Sequence, residues 1–268
     1  MIEIAFDPIL IQVGSFQLSW HGVFSALAVA LAVWFGQRRM RIAGLPPESF
    51  GRITVWAILG GVIGARLFHI FDHLPYYLEN PLQAFSFWEG GLAVYGAFAG
   101  GILGAILAVR REGLRVWPLL DAGAPAMLVG QAVGRLGCLT NGDAWGMPTG
   151  GPWGLVYRHP RALLPRELLD TPTHPYPLYE ITAVLALLLG LWLARGRLAQ
   201  QGRMFPVAFL GYAAIRFGLT FFRQETLVFW GLQEAQVIAL LSAAAAVGLL
   251  VWNGRPVSKA VLPVASQT

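Results

Sequence analysis

The chain has 268 residues, 56% of them hydrophobic and only 12% charged, about half the charge usual in a soluble domain. That balance excludes disorder and a water-facing surface over most of the molecule, and a single cysteine excludes a disulfide framework. The net charge of +5 comes from 18 arginines and one lysine, Lys259, in short clumps between apolar runs; this is a pattern of membrane topology, not of nucleic-acid binding.

A bilayer core takes about 20 apolar residues per helix. Seven stretches are predicted to span it: residues 19–37, 53–71, 91–109, 119–139, 177–194, 204–222 and 233–252. The first is not read as a signal peptide, because the chain begins MIEIAFDP, with acids where a signal carries positive charge, and Arg38, Arg39 and Arg41 follow the apolar run. Twelve basic residues fall on one side: Arg38, Arg39, Arg41 and Arg52, then Arg110, Arg111 and Arg115, then Arg195, Arg197 and Arg203, and finally Arg255 and Lys259. The other side holds Arg158, Arg161, Arg166 and Arg223. The positive-inside bias makes the twelve cytoplasmic, with the N-terminus extracytoplasmic and the C-terminus cytoplasmic. The predicted fold class is therefore an all-α polytopic membrane protein of about seven transmembrane helices. Residues 1–268 form one integral membrane domain, and residues 140–176, rich in Pro, Gly, Trp and His, form a small extracytoplasmic lobe within it. Gly60/Gly64, Gly96/Gly100/Gly104 and Gly130/Gly134 have the small-xxx-small spacing of closely packed membrane helices.

Three arginines, Arg66, Arg135 and Arg216, lie within predicted spans or near their ends. Each costs about 2.5–3.5 kcal/mol at membrane depth on insertion scales, so counter-charges, a watery cavity or an anionic ligand must repay them. Arg135, near a span end, has the alternative of snorkelling to the interface. A guanidinium fork also suits phosphate, and the abundant phosphate of a membrane is on its lipids.

The segment 134–146, GRLGCLTNGDAWG, closes the fourth span. Its glycines permit close backbone approach, while Arg135, Asn141 and Asp143 supply a cation, an amide and a carboxylate. It resembles the signature of the prolipoprotein diacylglyceryl transferase family, G-R-x-G-N-x-x-N-x-E-x-x-G. Gly134, Arg135, Gly137, Asn141 and Gly146 match it; Asp143 is a shortened Glu, and Cys138 replaces the first Asn. The resemblance extends along the chain. Trp20-His21-Gly22 is similar to W-Y-G, with His21 for Tyr, and GARLFHIFDH from Gly64 is similar to the family's arginine segment, with Arg66 in register and His69 for Tyr. Trp88-Glu89-Gly90-Gly91 followed by Tyr95-Gly96 resembles W-[DE]-G-G-x-x-x-[HY]-G. The run from His174 to Glu180 resembles H-P-x-Q-L-Y-E, with Pro177 for Gln, and RFGLTFFR from Arg216 resembles R-x-x-x-E-x-x-R, with Thr220 for Glu.

The resemblance implies transfer of the diacylglyceryl group of phosphatidylglycerol to the lipobox cysteine thiol of a prolipoprotein signal peptide, forming a thioether and releasing glycerol phosphate. It places the protein in the bacterial cytoplasmic (inner) membrane, with phosphatidylglycerol, prolipoprotein signal peptides and membrane lipids as partners and no nucleic acid or cofactor. No metal is required, and the chain has no H-E-x-x-H and no closely spaced Cys/His set. The leaving phosphate needs electrostatic stabilisation. Arg135 is the first candidate, Arg216 and Arg223 are further clamps, Arg66 is a supporting partner, and Asn141, Asp143, Gly146 and Glu180 complete the phospholipid site. The incoming thiol, with an ordinary pKa near 8.5, must lose its proton. Two readings stay open for that step: His21 and Tyr95 share proton handling in one cavity, or Tyr95 only orients substrate and His21 is a satisfied polar group. Cys138 is read as a small packing residue, and His69 and His73 as interfacial. Two further functions remain open: an anionic-phospholipid binding or transport protein without chemistry, and a paralogue that lipidates a different acceptor. Intramembrane proteolysis is disfavoured, because no G-x-S-G occurs and Asp72 and Asp121 fall near opposite faces.

Overall fold

A computed structural model describes residues 1–14, 16–85, 93–198, 202–223 and 227–253. The helices in chain order are α1 (Trp20–Ile42), α2 (Pro47–Asp72), the short α3 (Leu74–Glu79), α4 (Val94–Arg111), α5 (Val116–Asn141), α6 (Tyr176–Leu193), α7 (Met204–Thr220) and α8 (Glu234–Asn253). Every predicted apolar stretch overlaps one of the long helices. Four of these, α1, α2, α6 and α8, are long and apolar enough to cross a membrane, and α7 is a shorter apolar helix. Large apolar side chains such as Phe98, Leu189 and Leu241 stand exposed along them, which suits a hydrocarbon solvent and not water.

The helix ends differ from the predicted stretches because polar terminal turns escape an apolar count. Ser19 caps α1 by accepting from the Gly22 N–H at 3.1 Å. At its other end α1 runs on through Arg39 and Arg41, whose charge complements the negative end of the helix dipole. Pro47 opens α2, where its missing N–H leaves no helical bond unmade. Gly142 ends α5 with φ +78°, a left-handed turn that a side chain would strain.

Glycine sets the closest helix contacts. A Cβ on Gly60 would lie 2.3 Å from the Gly100 carbonyl oxygen, and one on Gly96 equally close to that of Gly64, so α2 and α4 touch backbone to backbone. α1 and α5 meet in the same manner, with Gly130 3.2 Å from Ala32 Cβ and Gly137 3.1 Å from His21 Cα by the same measure. α5 is central. Its Ala124, Leu128 and Ala132 are buried against Val184 and Leu191 of α6 and Met204 and Ala208 of α7. Leu119 and Ala122 join Met40, Ile53 and Ala108 of α1, α2 and α4. Asp121 fastens the start of α7 by accepting from the N–H groups of Gly202 and Phe205.

The strictly all-α expectation is corrected to mostly helical, because three two-stranded sheets sit among the connections of the described residues. β1 (Ile2–Ile4) pairs in parallel with β4 (Leu155–Tyr157). β2 (Ile9–Val13) and β3 (Phe16–Ser19) are antiparallel. So are β5 (Leu227–Phe229) and β6 (Leu232–Gln233), turned by Trp230 and Gly231 at φ +50° and +76°. Helix-period counting cannot see strands of two to five residues, and the β1–β4 pair joins segments 153 residues apart in the sequence. Between α5 and α6 the chain forms the lobe, with Ile4, Leu155, Tyr157 and Leu164 as its small core. Tyr157 Oη donates to the Leu139 carbonyl at 2.8 Å, and burial pushes its phenol well above the ordinary range. Arg158 spans Glu3 and Asp170 at 2.9 and 3.0 Å, tying β1 to the lobe, and holds the Glu3 carboxyl below its usual value.

Candidate active site

Three helices each carry two polar side chains one turn apart inside otherwise apolar sequence: Gln131 and Arg135 on α5, Tyr176 and Glu180 on α6, Tyr212 and Arg216 on α7. Positions i and i+4 share one helix face, and the three faces converge on Glu180, whose side chain is fully buried. Its Oε1 accepts from Gln131 Nε2 and Tyr212 Oη, both at 2.9 Å. Its Oε2 lies 2.9 Å from Arg135 Nε, an ion pair without hydrogen-bond alignment, and 3.3 Å from Arg216 Nη1. Arg216 Nη1 also donates to Tyr176 Oη at 2.5 Å, and Arg223 lies over the Tyr176 ring at 5.0 Å. A buried carboxylate is tolerable only with its acceptor sites filled, and here each oxygen has two partners. Two guanidiniums on one carboxylate leave a positive charge over. The arrangement favours an anion entering beside Arg135 and Arg216.

A second group adjoins the first at the end of α5. His21, in the first turn of α1, has Nδ1 3.5 Å from Asp143 Oδ2. His21 Nδ1 and Asp143 Oδ1 are shielded from solvent and make no hydrogen bond among the described residues. Cys138 completes the group. An imidazole nitrogen, its sulfur and a carboxylate oxygen lie within 4.8 Å of one another, and Arg135 Nη1 donates to the Cys138 sulfur at 3.5 Å. One polar track therefore runs from Asp143 and His21 through Cys138 and Arg135 to Glu180, Arg216 and Tyr176.

Of the residues singled out in the sequence, the track gathers Arg135, Arg216, Glu180, His21 and Asp143, with Arg223 over the Tyr176 ring. Tyr95 is elsewhere: it is 62% exposed, and its hydroxyl donates to Glu234 Oε1 of α8 at 2.5 Å. Tyr95 and His21 thus have different partners and make no hydrogen bond to each other among the described residues. Arg66 is buried and donates to the carbonyls of Gln83 and Ala84, beneath the Tyr77 ring, which anchors the segment after α3. Gly146 is a point of close approach, since a Cβ there would lie 2.6 Å from the His174 carbonyl oxygen and 3.0 Å from that of Phe222. The Asn141 carbonyl accepts from the Leu163 N–H at 3.0 Å, holding the lobe to α5. Thr220, where the family pattern has Glu, donates to the Arg216 carbonyl at 2.6 Å and is buried. Pro177 sits in the first turn of α6, where proline is at home. The motif Trp88-Glu89-Gly90-Gly91 lies outside the described residues. Gln131, Tyr176 and Tyr212 were not singled out. Their signal was the one-turn spacing from Arg135, Glu180 and Arg216.

A family model described as prolipoprotein diacylglyceryl transferase matches residues 8–252. A Synechococcus elongatus protein named phosphatidylglycerol–prolipoprotein diacylglyceryl transferase is 32% identical over 254 residues, covering 91% of this chain and 86% of its own length. Proteins of the same name from Thermosynechococcus vestitus and from Dehalococcoides mccartyi strain CBDB1 are 33% and 34% identical. The first covers 92% of this chain and 93% of its own length, the second 95% and 96%.

Proposed function

Because the chain belongs to the prolipoprotein diacylglyceryl transferase family, we propose a division of labour among its buried polar residues. The activity is phosphatidylglycerol–prolipoprotein diacylglyceryl transfer. Arg135 and Arg216 hold the lipid phosphate, with Arg223 as a further clamp, and Glu180 keeps both guanidiniums in place before substrate arrives. The sulfur of the lipobox cysteine attacks the glycerol carbon that bears the phosphate. A C–S bond forms as the C–O bond breaks, and glycerol phosphate leaves with the electron pair. His21 accepts the thiol proton, oriented by Asp143. Asn141 lines the headgroup site, and Gly146 lets the lobe close over it. Tyr95 and Arg66 act at a distance, holding α4 to α8 and the segment after α3 to α2.

The seven long helices are seven spans of a bacterial cytoplasmic membrane, with the N-terminus and lobe outside. The reading rests chiefly on the surplus positive charge of the buried Arg135–Glu180–Arg216 cluster. Developing negative charge on the leaving phosphate is stabilised there more than the ground-state diester is. Purified protein, phosphatidylglycerol and a lipobox peptide form a thioether product countable by mass spectrometry. Arg135→Ala should lower kcat by about 10²–10³-fold. Equal product from wild type and variant would overturn the assignment.

A further inference from the structure

Away from the Glu180 cluster, a groove of about 320 Å³ opens between α1, α5, α6 and the start of α7. Arg39 and Arg195 are the only polar residues among the ten that line it; Phe35, Leu185, Leu189 and Trp192 are typical of the rest. The apolar floor follows α6 from Leu185 to Trp192, about 10 Å of helix, and Arg195 lies just beyond the end of α6. Arg39 Nε is shielded from solvent and has no hydrogen-bond partner among the described residues. Arg195 is braced: its Nη1 donates to the Trp192 carbonyl at 2.8 Å and its guanidinium lies 4.4 Å from the Trp192 ring centroid. The rest of its donor fork is left for a ligand. Neither arginine forms an ion pair among the described residues, and the stretches 199–201 and 254–268 contain no Asp or Glu.

We propose that this groove is a second phospholipid site, separate from the one that reacts. An anionic glycerophospholipid from the leaflet on the Arg38–Arg41 side lays one acyl chain along α6 and seats its phosphate between Arg39 and Arg195. The phosphate supplies counter-charge to the Arg39 guanidinium and acceptors for the Arg195 fork, and the chain replaces bulk lipid on an apolar wall. A zwitterionic headgroup would bring its own cation beside two guanidiniums and bind less well. A neighbouring groove shows the contrast. Between α1 and α2 a space of about 390 Å³ has Arg52 on its rim. Both carboxylate oxygens of Glu112 already engage that guanidinium, at 2.7 and 2.6 Å, so it offers no unpaired charge to a headgroup.

The test is native mass spectrometry of delipidated full-length protein in detergent, titrated with phosphatidic acid, phosphatidylcholine or inorganic phosphate. Wild type should retain one more phosphatidic acid per molecule than the double variant Arg39→Ala/Arg195→Ala, whose transferase activity is unchanged. Arg39→Lys/Arg195→Lys should keep the lipid. Leu189→Trp, which fills the exposed apolar wall and leaves both charges, should lose it. Equal retention by wild type and the double alanine variant, or by wild type and Leu189→Trp, would overturn the proposal. So would equal retention of phosphatidylcholine, or displacement by inorganic phosphate, which would mark a free-anion site.

Discussion

At the scale of single residues, the governing fact is that Glu180 is the counter-charge for two arginines in an apolar interior. Removing it leaves both guanidiniums uncompensated. Glu180→Ala should therefore cost about 3–5 kcal/mol, read as a large drop in thermal midpoint of the purified protein in detergent. An unchanged midpoint would mean that the arginines find other partners. Arg135→Lys separates charge from shape: one ammonium keeps the charge but cannot serve the carboxylate and a phosphate in two directions, so activity should fall while the thermal midpoint holds. His21 and Tyr95 separate in the same way. Under the base assignment, His21→Phe lowers kcat and Tyr95→Phe leaves most of it. The reverse result would return the proton to Tyr95. The arginines were legible in the sequence as expensive charges and Glu180 as part of a motif. That Glu180 holds Arg135 and Arg216 together was not, because the three sit on different helices.

Among elements, glycine decides which helices touch. Gly60, Gly64, Gly96, Gly100 and Gly104 line the α2–α4 contact, where a Cβ on Gly100 would lie 2.1 Å from the Gly60 carbonyl oxygen. Backbone cannot yield as a side-chain tip can. Gly100→Leu should force α2 and α4 apart and lower the thermal midpoint far more than Gly190→Leu on α6, where an added Cβ meets nothing within 4 Å. Equal effects would show that helix propensity, not close approach, governs both sites. The small-xxx-small spacing was plain in the sequence, but spacing does not say which stripe faces which. The short strands were not legible at all. β1 finds its partner in the lobe, and a three-residue pairing across the whole first half of the chain leaves no local period to read.

For the whole molecule, charge among the described residues gathers at helix ends, in the lobe, at the buried Arg66 and along the buried track. The loop after α4 illustrates the ends: Glu112 accepts from Arg52 and Ser49, which pull its pKa from 4.5 down to about 2. A carboxylate depressed on folding contributes stability that is fully present above about pH 4.5 and lost as pH falls toward about 2. The melting advantage of wild type over Glu112→Gln should therefore hold down to about pH 5 and shrink steadily from there toward about pH 2. A constant gap would show that the Arg52 contact is not what depresses it. The sequence by itself determined the apolar solvent, the place of the apolar stretches and the family, because composition, run length and motif spacing are properties of neighbours along the chain. The tertiary structure alone decided that Arg135, Arg216 and Glu180 form one cluster, that His21 faces Asp143, and that Tyr95 turns to Glu234. Those contacts depend on how helices far apart in sequence are rotated and paired, and in this chain backbone approach at glycine sets the closest of those pairings.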